Sequence, residues 1–282
     1  MATEGTIQAL ISKCPELTRP KILEALETER CKTGGLISDE TLLRLIAAKH
    51  GVQVPQTKIH SCSLTINRLI PILNDATVVG RVVAVYPARS FEGKQPGKYA
   101  SLLIADGGGL LRVMLWNDKA NLVESGELKA GRIARFIHGY TKEDRSGKTE
   151  LHVGAKSIVE INPQDTDETS FPFINHFSTK CGDIAQAQSN VHLIGAVREV
   201  FPSSAFTRED QSDGKILRFV LADDSGEVTV VAWNEKVQEL EPLLRKGVEI
   251  CLVNAKAKSG GNRGFEVHID ASSYVDFPVS RE

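Results

Sequence analysis

The strongest constraint on this chain is that it repeats itself. Gly80-Arg81-Val82, followed by Tyr86-Pro87, returns as Gly195-Ala196-Val197 followed by Phe201-Pro202. Phe91 returns as Phe206, Gly97-Lys98 as Gly214-Lys215, and Ile104-Ala105-Asp106 as Leu221-Ala222-Asp223. Trp116-Asn117-Asp118-Lys119 returns as Trp233-Asn234-Glu235-Lys236, Gly131 as Gly247, and Glu150-Leu151-His152 as Glu266-Val267-His268. The offset drifts only from 115 to 117 residues, and small drift confined to loops is what two copies of one fold produce.

The first copy reads as β. Runs at 77–85, 99–104, 110–116, 132–139 and 151–161 carry the apolar and β-branched residues of strands. Turn signals at 93–97, 106–109 and 145–148 separate them, and 117–128 reads as helix or turn. Five strands with a short helix between the third and fourth fit an OB-fold barrel. The fold class expected is therefore mainly β: two tandem five-stranded OB-fold barrels, over 61–162 and 181–282, joined by an aperiodic linker over 163–180. A small helical bundle over 1–56 precedes them. There Ile7, Leu10 and Ile11 share one helical face. Thr18 caps a second helix with Pro20 in its first turn, and Ile22, Leu23 and Leu26 give its apolar face until Gly34-Gly35. A third starts at Ser38-Asp39-Glu40, with Leu42, Leu43, Leu45, Ile46 and Ala47 facing inward.

Composition narrows the class. Hydrophobic residues make up 41% and charged residues 25% of 282, an ordinary globular balance. The five cysteines, Cys14, Cys31, Cys62, Cys181 and Cys251, form no CxxC pair, which argues against both a zinc site and a disulfide framework. Reduced thiols and the lack of a signal pattern or long apolar run suit a cytoplasmic, nucleoid-associated protein, or a nuclear one in a eukaryote. The net charge of −2 hides a split: residues 61–162 carry +4 and residues 181–282 carry −5.

Trp116 and Trp233 fall at strand ends, just before Asn and a loop. A large aromatic there is either a core residue or a platform on which nucleic-acid bases stack. Phe91 and Phe206 pair with them, one couple in each copy. The first copy reads G-R-V…R-S-F…G-K…I-A-D-G…W-N-D-K. At these residues the chain resembles the replication protein A large-subunit family, the archaeal single-stranded DNA-binding members in particular, over nearly its whole length. The resemblance implies base stacking on Phe91, Trp116, Phe206 and Trp233, with Asn117 and Asn234 beside them. It implies basic contacts from Arg89, Arg112 and Lys142, with Lys98 nearby. In the second copy Ser204 and Thr229 stand where Arg89 and Arg112 stand in the first. There a third family aromatic is matched by Phe265, where the first copy has only Thr149. Lys215, Arg208, Lys256, Lys258 and Arg263 are the remaining cations for a second groove. The first copy is thus expected to have more charge and the second more stacking surface, with Trp116→Ala and Phe91→Ala weakening binding more than Trp233→Ala and Phe206→Ala.

Catalysis finds little support: no GxxxxGK[ST], HExxH or GxSxG occurs, and the seven histidines lack metal-ligand spacing. The Asp106-Gly107-Gly108-Gly109 run lies between strands and reads as a hairpin turn rather than a phosphate loop, and Asp223-Asp224 as its counterpart. A binding protein without cofactor or metal is the expectation, with single-stranded DNA as ligand and other DNA-binding subunits or replication and repair proteins as partners. The rival is an OB-fold scaffold for protein interaction or RNA, because a fold alone does not specify function.

Overall fold

The computed structural model describes residues 7, 10–14, 17–32, 39–50, 52, 63–93, 96–207, 211–261 and 264–277. The chain divides into two compact units, Met1–Ser61 and Cys62–Glu282.

In the first unit α1 (Arg19–Lys32) and α2 (Asp39–Lys49) bury Ile22, Leu26, Leu42, Leu43, Ile46 and Ala47 together with Ile7, Leu10 and Val52. Ile11, Leu23 and Leu45, expected on the apolar faces, are exposed instead. Each follows a buried neighbour or precedes one, and a helix turns about 100° per residue, so a narrow stripe excludes them. The Ile22 amide bonds the Thr18 carbonyl, which starts α1 where the cap was expected. Ser38 and the Gly34-Gly35 break lie outside the described residues. No described helix is long and apolar enough to cross a membrane.

In the second unit β1 (Ala76–Phe91), β2 (Gly97–Asp106), β3 (Gly109–Trp116), β4 (Ile133–Glu143) and β5 (Thr149–Val153) close a ring in the order β1-β2-β3-β5-β4-β1. Only β3 and β5 run parallel. A 3-10 turn (Asn117–Ala120) and α3 (Asn121–Glu124) bridge β3 to β4, and β6 (Ile158–Ile161) pairs with β4. The second ring repeats this with β7 (Gln188–Val200), β8 (Ser204–Thr207), β9 (Asp213–Ala222), β10 (Glu227–Trp233), α4 (Glu235–Leu240), β11 (Glu249–Ser259), β12 (Phe265–Ile269) and β13 (Tyr274–Asp276). Both rings are OB-folds. Proline cannot donate to a ladder. The first ring absorbs Pro87 as a bulge between Tyr86 and Arg89, whereas in the second Pro202 falls in the break between β7 and β8. Asp106-Gly107-Gly108-Gly109 is indeed a hairpin turn. The Asp106 carboxylate accepts from the amides of Gly108 and Gly109, and from that of Ile66 at 2.8 Å. Asp223 does the same for Ser225 and Cys181, and this holds its pKa down at about 2 despite burial.

The two barrels are packed against each other. β1 is buried on both faces from Ala76 to Ala84, Thr77 and Arg81 included, as in a strand covered on both sides. Phe136, Leu102 and Leu115 fill the inside, while Val83, Ala84, Tyr86, Leu103 and Ala105 meet Cys251 and Val253 of β11 outside. Asn254 Nδ2 donates to the Tyr86 hydroxyl at 2.5 Å, and Tyr274 meets the Tyr86 ring edge-on. Residues 165–173 of the connector lie over the outer wall of the first barrel, while Thr179 and Lys180 at its end bond to His192 and Asp224 of the second. Buried Arg81 donates to the carbonyls of Gly131 (2.8 Å), Glu168 (2.7 Å) and Phe171 (3.0 Å), and its guanidinium lies 3.9 Å from the centre of the Phe173 ring. Arg135 beside it binds Glu160, Asp165 and Thr166.

Candidate nucleic-acid interface

Alternation along β3 places Arg112, Met114 and Trp116 on its outer face, and the second barrel places Thr229 and Trp233 likewise, with Val231 fully buried between them. Both tryptophans are half-buried, so neither belongs to a barrel core. Phe91 closes the end of β1 directly opposite Gly97. A Cβ at Gly97 would lie 2.7 Å from the Phe91 ring and 2.5 Å from Asn117 Oδ1. Phe206 lies over Gly214 so closely that a Cβ there would overlap its ring. These glycines exist because an aromatic ring lies across their backbone. The ring edges then meet the indoles: Phe91 to Trp116 at 5.9 Å and 85°, Phe206 to Trp233 at 5.7 Å and 86°.

Asn117 and Asn234 follow the tryptophans with positive φ, 49° and 50°, a sign of φ that asparagine adopts more readily than most residues. Their Oδ1 atoms accept the backbone amides of Lys98 and Lys215 at 3.2 Å, tying the end of one strand to the start of its neighbour. The lysine side chains are engaged as well. Lys98 pairs with Glu124 and Lys215 with Glu241, each at 2.6 Å, and Lys256 pairs with Asp270 at 2.9 Å. Among the described residues Arg89, Arg112, Lys142 and Lys258 form no ion pair at this face. Arg208 and Arg263 lie outside the described residues.

Several groups on this face had no place in the sequence-based site. His152 and His268 sit beside the tryptophans, taking the indole N–H on Nδ1 at 3.0 and 2.9 Å. Tyr140 lies nearly parallel to His152, with 5.0 Å between ring centres, and Tyr99 lies 5.9 Å from Trp116. The first module therefore has no shortage of aromatic surface: Tyr140, one strand over from Thr149, supplies a further ring. Phe265 is partly buried and packs onto the core of its own barrel, which reduces the extra stacking surface expected of the second module. Arg218 on β9 stands opposite Val231, its Nε buried, and adds a cation to the strand-borne Lys215, Lys256 and Lys258 of the second module. Ser101 holds the equivalent place in the first. The repeat already displayed Glu150-Leu151-His152 against Glu266-Val267-His268, and this was the signal for the histidines. Tyr140 and Arg218 are not repeated and left none.

The two faces also meet. Arg89 of the first barrel lines one groove together with Trp233, Asn234, Glu235, Lys256 and Asp270 of the second. The second copy has Ser204 where the first has Arg89, yet the first copy's own arginine reaches the second tryptophan's groove.

A family described as an OB-fold nucleic acid binding domain matches residues 191–275. Replication factor A of Methanothermobacter thermautotrophicus is 29% identical over 164 residues, which are 57% of this chain and 20% of that protein. A replication protein A heterotrimer bound to ssDNA superposes on 77% of this chain and 52% of its own, at 16% identity and a TM-score of 0.56. The second OB-fold domain of replication protein A from Methanococcus maripaludis is 33% identical over 37% of this chain and 97% of that domain, with a TM-score of 0.30. The chain spans about a fifth of the curated relative it matches. It is related in sequence to archaeal replication factor A and has the tandem OB-fold architecture of replication protein A.

Proposed function

We propose that this relative of archaeal replication factor A binds and protects single-stranded DNA, without strong sequence preference, in replication, repair and recombination. The observation that carries the reading is the duplicated constellation: a phenylalanine laid across glycine, edge-on to a half-buried tryptophan, on the same face of both barrels. Each such ring offers a base roughly 1–3 kcal/mol of stacking, and every base has a face to offer. Phe91, Trp116, Phe206 and Trp233 take bases; Arg89, Arg112, Lys142, Lys258 and Arg218 neutralise phosphates. Lys98, Lys215 and Lys256 contribute by exchanging their carboxylate partners for the backbone of the strand. The groove shared by Arg89 and Trp233 lets one strand pass from the first module to the second.

In this reading 61–162 and 181–282 are the two binding modules, 163–180 the connector, and 1–56 a separate helical domain. The chain works with further single-stranded DNA-binding subunits or replication and repair proteins on nucleoid DNA, and it is not an enzyme.

The test is fluorescence anisotropy with oligo-dT of increasing length, matched duplex and oligo-U at several salt concentrations. Affinity that grows with oligo-dT length, falls with salt and exceeds that for duplex and RNA is expected. Equal affinity for oligo-U would identify an RNA binder, and no length dependence would identify a protein scaffold.

A further inference from the structure

His152 and His268 make the same two contacts, one histidine in each module. The planes of Trp116 and His152 are within 11° of parallel with centres 5.8 Å apart, and those of Trp233 and His268 within 16° at 5.8 Å. Face-to-face stacking is excluded by the hydrogen bond that joins them. An indole N–H points outward in its ring plane, and the Nδ1 lone pair lies in the imidazole plane. A bond of 3.0 or 2.9 Å between near-parallel rings therefore joins them edge to edge. Indole and imidazole form one flat surface, wider than the indole alone.

The bond also selects a protonation state. Nδ1 accepts, so it carries no proton, and the neutral ring must carry its proton on Nε2. That atom lies 3.1 Å from a Glu150 carboxylate oxygen in the first module and 3.8 Å from Glu266 in the second. His152 Nε2 is fully buried, and its contact with Glu150 is too oblique for a good hydrogen bond. Other charges face these rings: Lys142 of β4 near His152, and Lys258, Arg218 and Asp270 near His268. Tyr140 of β4 and Lys256 of β11 are their register partners. Burial, aided by the neighbouring cations and opposed by the glutamates, holds both imidazoles below the ordinary histidine pKa.

We propose that His152 and His268 are positioning residues for the stacking tryptophans, each holding its indole in plane through a neutral Nε2–H imidazole. Protonation puts a hydrogen on Nδ1, turns the acceptor into a donor, and releases the indole of that module. The proposal rests on the DNA-binding reading for its purpose and on the ring geometry for its substance, so the two can fail separately.

Trp116 and Trp233 are the only tryptophans in the chain, so the two indole N–H resonances of the DNA-free protein report on these bonds alone. Each is expected to shift as the pH is lowered from about 7 to about 4, through and below the ordinary histidine range. His152→Phe keeps a flat ring without an acceptor. It should move one resonance, abolish its pH dependence, and weaken oligo-dT binding about threefold to tenfold, the scale of one hydrogen bond. His152→Gln, which restores an acceptor that does not titrate, should recover affinity with a pH-independent resonance. This second variant separates loss of positioning from loss of folding. Because an imidazolium also attracts phosphate, the resonances decide, not affinity alone. Indole resonances that ignore pH, or that are unchanged in His152→Phe, overturn the proposal. Titrating resonances in a protein that ignores oligo-dT support the coupling and overturn the DNA reading instead.

Discussion

Replacing Arg81 by methionine should loosen the connector while leaving both barrels folded. Arg81 is 5% exposed, and its partners include three neutral carbonyls and one ring. Hydrogen bonds from a charged donor contribute about 1.5–3 kcal/mol each, and the stacked cation adds about 0.5–2 kcal/mol. Two opposing effects reduce the total. Methionine removes the cost of burying the guanidinium, several kcal/mol, and the carbonyls of exposed Gly131 and Glu168 regain water. A net loss of about 2–4 kcal/mol follows, assigned to the connector rather than to either barrel core. For a unit of this size that is a fall of roughly 4–16 °C in its melting temperature. Hydrogen exchange should show faster amides over 168–177 and unchanged protection in β3 and β10. On DNA, a strand too short to reach both modules should bind as before. One that spans them should bind about tenfold more weakly, because the second module loses effective concentration. Protected 168–177 amides would refute the anchoring. Tighter binding of long strands would refute the view that the docked arrangement is the one that binds.

Two further outcomes follow from the geometry. Gly214→Ala should displace the Phe206 ring and weaken oligo-dT binding fivefold or more, from the loss of about 1–3 kcal/mol of stacking. Since Phe206 is half-exposed, the melting temperature should stay put, and a fall in stability with intact affinity would contradict the glycine's role. His192, buried at the seam between barrels near Lys148, has its pKa held down at about 4, chiefly by burial. A lowered histidine pKa means stability is complete above the unfolded value of about 6.5 and is lost as pH falls through 4, a difference of about 3 kcal/mol. Denaturant titrations of the wild type and His192→Asn should therefore diverge in slope between those pH values, and parallel curves would count against it.

Much of the candidate site was legible in the residues because it is repeated. A phenylalanine, a glycine, a tryptophan and an asparagine recur in both copies at offsets of 115 to 117 residues, and the turn signals beside them put them at strand ends. His152 and His268 stand in the same repeat, but they meet the tryptophans only because β5 runs parallel beside β3 and β12 beside β10. Register across a sheet is not a property of one strand. Tyr140 and Arg218 were harder still: each replaces something lost at a different position, on a neighbouring strand, so no alignment of the copies reveals it.

The apolar and polar pattern of this sequence by itself determined two OB-folds and the strand ends that bear their aromatics, because alternation and turn chemistry are local. It placed Val78, Val79, Val82, Val83 and Ala84 in β1, interrupted by Arg81. What covers them was decided only by tertiary structure. The two barrels share a fold but meet through different faces, β1 and β2 of one against β11 and β13 of the other. β7 cannot take the part of β1, because exposed Arg198-Glu199 stands in place of Val83-Ala84 and exposed Phe201 in place of Tyr86. Docking depends on the residues in which the copies differ, and the loss of Arg81 to Ala196 leaves the second barrel without the anchor that holds a connector in place.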